Sequence, residues 1–307
     1  MRLNPGANID ISQVTDRRGP LGRLLGGPVR WLEAVFVALA GKRWGLPGVL
    51  GAIALLFVGS LGVHAVTNRG NDSTIRQECK SGNGSAIDQL DCRNVLYINS
   101  VQAYWAKALP ATFGKTYTEA DTVFFSGSTN TGCGTADSGT GPFYCPTDQL
   151  VYLDLTFYRE LADHLGAPGE FAQPYVLAHE YGHHVQDLIG TEAKERAAVA
   201  RDKNSENRLS VMLELQADCY AGVWAKNATG TADAEGNKIF ESITDDDIQQ
   251  GLDTAAAIGD DTLEKEAGQP VDERGFTHGS SADRQKWFRT GHDSGDPKSC
   301  DTFGNAI

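Results

Sequence analysis

Two short stretches hold the residue types from which a metal-dependent hydrolase is built. In "HEYGHH", residues 179–184, His179 and His183 stand four positions apart with Glu180 between them. On a helix, four residues make one turn plus about 40° and rise about 6 Å, so both imidazoles face one point. Two such nitrogens can bind one ion at about 2.0–2.1 Å each. Glu180 lies about 100° round the helix from His179, off the ion but beside a metal-bound water, where a general base is needed. In "ELQAD", residues 214–218, Glu214 can supply the third ligand that a catalytic zinc site requires while a fourth position stays open. Asp218, one turn further on, can accept the spare N–H of a ligating histidine and fix its tautomer. The competing reading is two carboxylates on a solvated helix face. The neighbours Met212, Leu213, Leu215, Ala217, Tyr220 and Ala221 are mostly apolar, which opposes it.

Two helices must carry these groups. "QPYVLAHEYGHHVQDLIG", 173–190, reads as one, with Pro174 in its first turn and Gly190 as its stop. "SENRLSVMLELQADCYAGVWAKNA", 205–228, reads as the other, and residues 244–267 as a third, capped by Thr244. Upstream, residues 91–109 have apolar positions at helical intervals and end at Pro110. Residues 121–127 and 149–158 read as strands around a Gly/Ser/Thr-rich loop, 126–145, and 156–165 as a short helix. The last forty residues are rich in Gly, Ser, Asp and Arg and end in a loop bearing Cys300. This is an α+β pattern with a small sheet.

The net charge of −13 argues against a nucleic-acid partner, since no basic face dominates. Charge is unevenly placed. Residues 1–43 hold seven Lys or Arg against three Asp or Glu, a net of +4, which leaves −17 for the rest. Residues 1–28, rich in Gly, Arg and Pro, read as poorly ordered. Residues 45–68, "GLPGVLGAIALLFVGSLGVHAVTN", contain no charged residue and are long enough to span a hydrocarbon core of roughly 30 Å. The segment starts too late and runs too long for a signal peptide. Residues 29–44, apolar with a basic rim, suit an interfacial helix leading into it. The chain thus divides into a basic segment, 1–44, one membrane span, 45–68, and a domain, 69–307. Basic residues flank the span on its N-terminal side, which predicts a single-pass cell-membrane protein with residues 1–43 in the cytoplasm and the domain outside. Residues 69–87 read as a linker or a disulfide-tied entry to the domain. All six cysteines follow the span, as disulfides on an oxidising side require. Nearest-neighbour pairing gives Cys79–Cys92, Cys133–Cys145 and Cys219–Cys300, one of fifteen connectivities.

H-E-x-x-H followed about thirty residues later by E-x-x-x-D resembles the gluzincin metallopeptidases. Over residues 8–304 the blocks "NIDISQVTDRRG", "GPFYCPTDQLVYLDLTFY", "AHEYGHHVQ", "ELQADCYAGVWA" and "GSSADRQKWFRTGHDSGDPKSCDTF" resemble a bacterial family of membrane-anchored neutral zinc metallopeptidases. The resemblance implies a zincin-like domain with an active-site helix, preceded by one transmembrane helix, and one catalytic Zn2+. It implies His179, His183 and Glu214 as ligands, Glu180 as base, Asp218 as the partner of His179, and a peptide or protein substrate. "VYLDL", 151–155, would be the edge strand above the cleft, able to align a peptide. His278 and Tyr220 are candidates to steady the oxyanion, each with a structural role as the alternative. His184 points about 100° away from His183 and reads as packing or as a support behind the ligands. Two other functions compete: a zinc hydrolase of a non-peptide or cell-wall amide, and a non-catalytic zinc-binding scaffold. The base-like Glu180 opposes the scaffold, because a structural zinc fills all four positions. Nothing in the sequence gives the oligomeric state.

Overall fold

The computed structural model describes residues 1–18, 72–79, 86–164, 166 and 169–304. The predicted span, 45–68, and the predicted interfacial helix, 29–44, lie outside these. Among the described residues no helix is long and apolar enough to cross a membrane. The elements in chain order are β1 (Arg2–Leu3), β2 (Val14–Asp16), α1 (Asp72–Glu78), α2 (Leu90–Phe113), β3 (Thr122–Phe125), β4 (Ser128–Thr131), β5 (Gly134–Asp137), β6 (Phe143–Cys145), β7 (Leu150–Asp154), α3 (Phe157–His164), α4 (Ala172–Ile189), α5 (Thr191–Arg201), α6 (Glu206–Asn227), β8 (Phe240–Ser242), α7 (Asp245–Ala257), α8 (Asp260–Glu266) and α9 (Ser281–Ser294). The chain is α+β, with small sheets among many helices.

The main sheet has the order β2-β3-β7-β6. β3 pairs parallel with both β2 and β7, and β6 closes the other side antiparallel to β7, with Tyr144 opposite Val151. Strand side chains alternate between faces. Phe124, Val151 and Leu153 enter the main core, while Val123, Phe125 and Tyr152 form a second cluster with Cys145. "VYLDL" is therefore an interior strand with partners on both sides, and the edges are β2 and β6. The three residues of β6 sit in the stretch expected to be loop, which also contains the β4–β5 hairpin.

Helix α2 runs past Pro110 to Gly114, which adopts the left-handed conformation (φ 65°) and closes the helix with its N–H on Pro110 O. A proline in the last turn removes only one helical hydrogen bond, so it does not end the helix there. The single helix expected over 244–267 is two. α7 begins at a capping box in which Thr244 and Asp247 bond each other reciprocally, and α8 begins after Gly259. A side chain at Gly259 would lie 2.5 Å from the Ser281 backbone. The expected irregular C-terminal stretch contains α9, capped by Ser280 on the Asp283 N–H. α9 crosses α6 with backbones almost touching. A Cβ at Gly291 would be 1.9 Å from Cys219 O, and one at Gly222 2.0 Å from Phe288 O.

Residues 1–18, expected to be poorly ordered and apart from the domain, are built into it. β1 pairs with β8 and β2 with β3. Asn99 bonds the Asp10 backbone in both directions, at 2.9 and 3.0 Å. Arg18 is buried against Asp16 (Nε–Oδ1 2.9 Å) and Asp91 (Nη2–Oδ2 2.6 Å). Composition alone misjudged this segment because its polar residues are spent on specific partners rather than on water. The disulfides are Cys79–Cys92, Cys133–Cys145 and Cys219–Cys300, the nearest-neighbour set. The first ties α1 to the start of α2.

Candidate metal centre

Helix α4 passes through the core, ends at Gly190 in the left-handed conformation (φ 84°) and buries His179 and Glu180. Gly182 lets α6 come close, since a Cβ there would be 3.0 Å from the Ala217 backbone. That approach brings "ELQAD" against "HEYGHH". His179 Nε2 lies 3.1 Å from Glu214 Oε2, His183 Nε2 3.4 Å from Glu214 Oε1, and the two Nε2 atoms are 3.2 Å apart. Three donors on a tetrahedral ion with bonds of 2.0–2.1 Å would be about 3.3 Å apart. The donor set, its nitrogen and oxygen chemistry and its spacing therefore fit zinc. Among the described residues, this trio is the group of His, Cys, Asp or Glu close enough to hold a metal ion.

The outer nitrogens of the two histidines are held differently. His179 Nδ1 is 2.9 Å from Asp218 Oδ1. Asp218, fully buried, also accepts from Tyr175 OH (2.5 Å) and from Arg284 (Nε–Oδ2 2.8 Å, Nη2–Oδ1 3.1 Å). His183 Nδ1 faces a neutral acceptor, Gln186 Oε1, at 2.8 Å. Gln186 donates to Leu213 O and to Gln216, and Gln216 in turn donates to Cys300 O. The network thus runs from a candidate ligand to the disulfide that joins α6 to the C-terminal stretch.

Charge in the site is organised around the carboxylates. Burial alone would lower His179, but Asp218 and Glu214 overcome it and push the imidazole up to about 10. Burial likewise would lower His183, but Glu214 outweighs it and the imidazole is raised. Glu214 is held well below the usual carboxylate range: burial raises it, and the two histidines more than reverse this. Asp218 is kept low in the same way, burial being outweighed by Arg284 and His179. A site with this electrostatic demand for positive charge suits a cation.

Glu180 Oε2 accepts the backbone N–H of Tyr144 on the edge strand β6, at 2.9 Å. His184 turns the other way. Its Nε2 donates to Thr118 O (2.7 Å), and its ring packs among Tyr117, Tyr144 and Tyr181. Tyr220 is not brought to the site. It lies about 200° round α6 from Asp218, buried edge-on against Trp105 at 5.3 Å. The oxyanion role is therefore withdrawn, since its ring belongs to the core between α2 and α6. His278 is half exposed on the loop before α9 and is pinned by Asp260, which accepts from its backbone N–H (2.7 Å) and pairs with Nδ1 (3.1 Å). The Asp260 hydrogen bond raises the His278 pKa against burial, and Glu214 adds to the rise.

Four participants escaped the sequence reading. Tyr175 and Gln186 had a local signal, lying four before His179 and three after His183 on one helix face. Arg284 is 66 positions from Asp218 and had none. The Tyr144 contribution is a backbone N–H, which no residue type announces.

An α+β domain with a His, His, Glu trio and the Glu180 carboxylate on the same helix has residue types that a metal-dependent hydrolase uses. Residues 7–303 match the family described as "Putative neutral zinc metallopeptidase", and the chain belongs to that family. It is similar to "Uncharacterized protein YpfJ" of Escherichia coli K12, 39% identical over 303 residues that cover 97% of this chain and 98% of that protein. It is also similar to "Uncharacterized protein Rv2575" of Mycobacterium tuberculosis H37Rv, 43% identical over 231 residues, 75% of each chain. No solved structure matches.

Proposed function

We propose that the protein is a membrane-attached, zinc-dependent metallopeptidase that hydrolyses peptide bonds outside the cytoplasm. The observation that carries this reading is the spacing of His179, His183 and Glu214, 3.1–3.4 Å between donor atoms, with Glu180 anchored alongside. Bound there, zinc would lower the pKa of its water and polarise the scissile carbonyl. Glu180 has one oxygen fixed by Tyr144 N–H, which orients the other to take the water proton and pass it to the leaving amine. Asp218 holds His179 in the tautomer that offers Nε2 to the metal, and Gln186 does the same for His183. The edge strand β6 lies against Glu180, so a peptide extended along it would pass over the site. His278 is the candidate to meet the substrate carbonyl oxygen from the exposed side. Export is supported by the three disulfides, and no free cysteine occurs among the described residues. Membrane attachment rests on the uncharged 45–68 stretch.

The test is cleavage of a peptide pool by the purified full-length protein, stripped with chelator and refilled with zinc, and read by mass spectrometry. Glu180→Gln should keep its zinc and lose activity about 10²–10⁴-fold. Glu214→Ala should lose the zinc itself. Wild-type protein that holds zinc and leaves every peptide intact, while opening cell-wall fragments, would move the reading to a non-peptide amide.

A further inference from the structure

Residues 1–18 and residues 72–304 form one folded unit, and this conflicts with a single membrane crossing between them. The contacts are distributed along the whole segment. Asn4 bonds the backbone of Ile239 and Lys238, Asn8 N–H donates to Asp233 (2.8 Å), and Arg17 N–H donates to Phe124 O (2.8 Å). β2 pairs with β3 in parallel over three residues, and Arg18 is buried with Asp16 and Asp91. A bilayer between the segment and the domain would forbid all of these, and would leave buried polar groups such as Asn99 without the partners they have here.

The two ends of the connector, residues 19–71, are moreover fastened to one turn of one helix. Arg18 is bound to Asp91, and Cys79, which closes α1, is bridged to the next residue, Cys92. α1 also seats Ile75 in the core. The chain therefore leaves the domain and returns to it at the start of α2.

Taking the membrane attachment proposed above as given, we propose that residues 1–18 and the metal-bearing domain lie on the same side of the membrane. This replaces the single crossing, with residues 1–43 in the cytoplasm, that counting basic flanks predicts.

The experiment uses the full-length protein in its own membrane. Arg2 is mostly exposed and pairs with Glu241 across β1 and β8. Arg2→Cys and Glu241→Cys would be made singly and treated, in intact cells, with a membrane-impermeant maleimide. The native cysteines are disulfide-bonded and silent. Equal labelling of the two variants, or equal protection until detergent is added, is the expected result. Labelling of one with protection of the other in membrane-bound protein overturns the proposal and leaves the proposed peptidase activity standing. Recovery of the protein in the soluble fraction overturns membrane attachment, and this proposal with it. A double variant, Arg2→Cys with Ser242→Cys, tests the packing directly, because these positions face each other in the β1–β8 register. A cross-link formed in intact membranes is expected, and its absence in folded, membrane-bound protein counts against the proposal.

Discussion

The carboxylate of Asp218 answers three donors at once: Tyr175 OH, His179 Nδ1 and the Arg284 guanidinium. Removing its charge should therefore have two separable effects. The histidine is left with a neutral acceptor in place of a charged one, which should cost about 10–100-fold in metal affinity or activity. The buried Arg284 loses its counter-charge, and breaking a buried pair from one side costs about 3–5 kcal/mol. Asp218→Asn should show both, in a zinc titration against a competing chelator and in a urea melt. Adding Arg284→Met should restore most of the stability and none of the zinc affinity. If the double variant regained zinc as well, the orienting role of Asp218 would be lost.

Between elements, the deciding contact is α6 against α9. Alanine is favoured over glycine in a helix by about 1 kcal/mol. At Gly291 that preference meets the Cys219 carbonyl at 1.9 Å, which no rotamer relieves because a Cβ has none. Gly291→Ala should thus destabilise by about 1–3 kcal/mol, as overpacking does, and should shift Arg284 away from Asp218. A melting temperature at or above wild type would contradict it. The same contact explains what the sequence could disclose. Helices α4 and α6 were legible because their candidate site residues, His179 and His183 on one and Glu214 and Asp218 on the other, repeat at four-residue spacing within a single element. α9 was not, because its polar composition and internal glycine suppress the local signal, and it forms against α6 rather than by propensity. The break before α8 was hidden for a related reason: Gly259 is required by the approach of Ser281, a neighbour in space and not in sequence. β6 escaped notice because three residues are too few to show a period.

For the molecule as a whole, the three disulfides differ in reach. Cys219–Cys300 spans 81 positions, against 13 and 12 for the other two. In the chain-entropy account the long loop is worth about 4.5 kcal/mol and each short one about 3 kcal/mol. Replacing Cys219 and Cys300 together by Ala should lower the denaturation midpoint more than replacing Cys133 and Cys145. The exposed position of Cys133 widens the gap, since its loss leaves little cavity. The reverse order, measured by urea unfolding, would show that the C-terminal stretch is held by packing alone.

The placement of Arg284 also sets a timetable. A nascent chain that has emerged only as far as residue 280 already carries His179, Glu180, His183, Glu214 and Asp218. It lacks the cation that neutralises Asp218, the helix that braces α6 and the cysteine that closes on Cys219. The candidate metal centre is thus the last part of the domain to be completed, and under the proposed reading a partly translocated chain would not yet cut the export apparatus through which it passes.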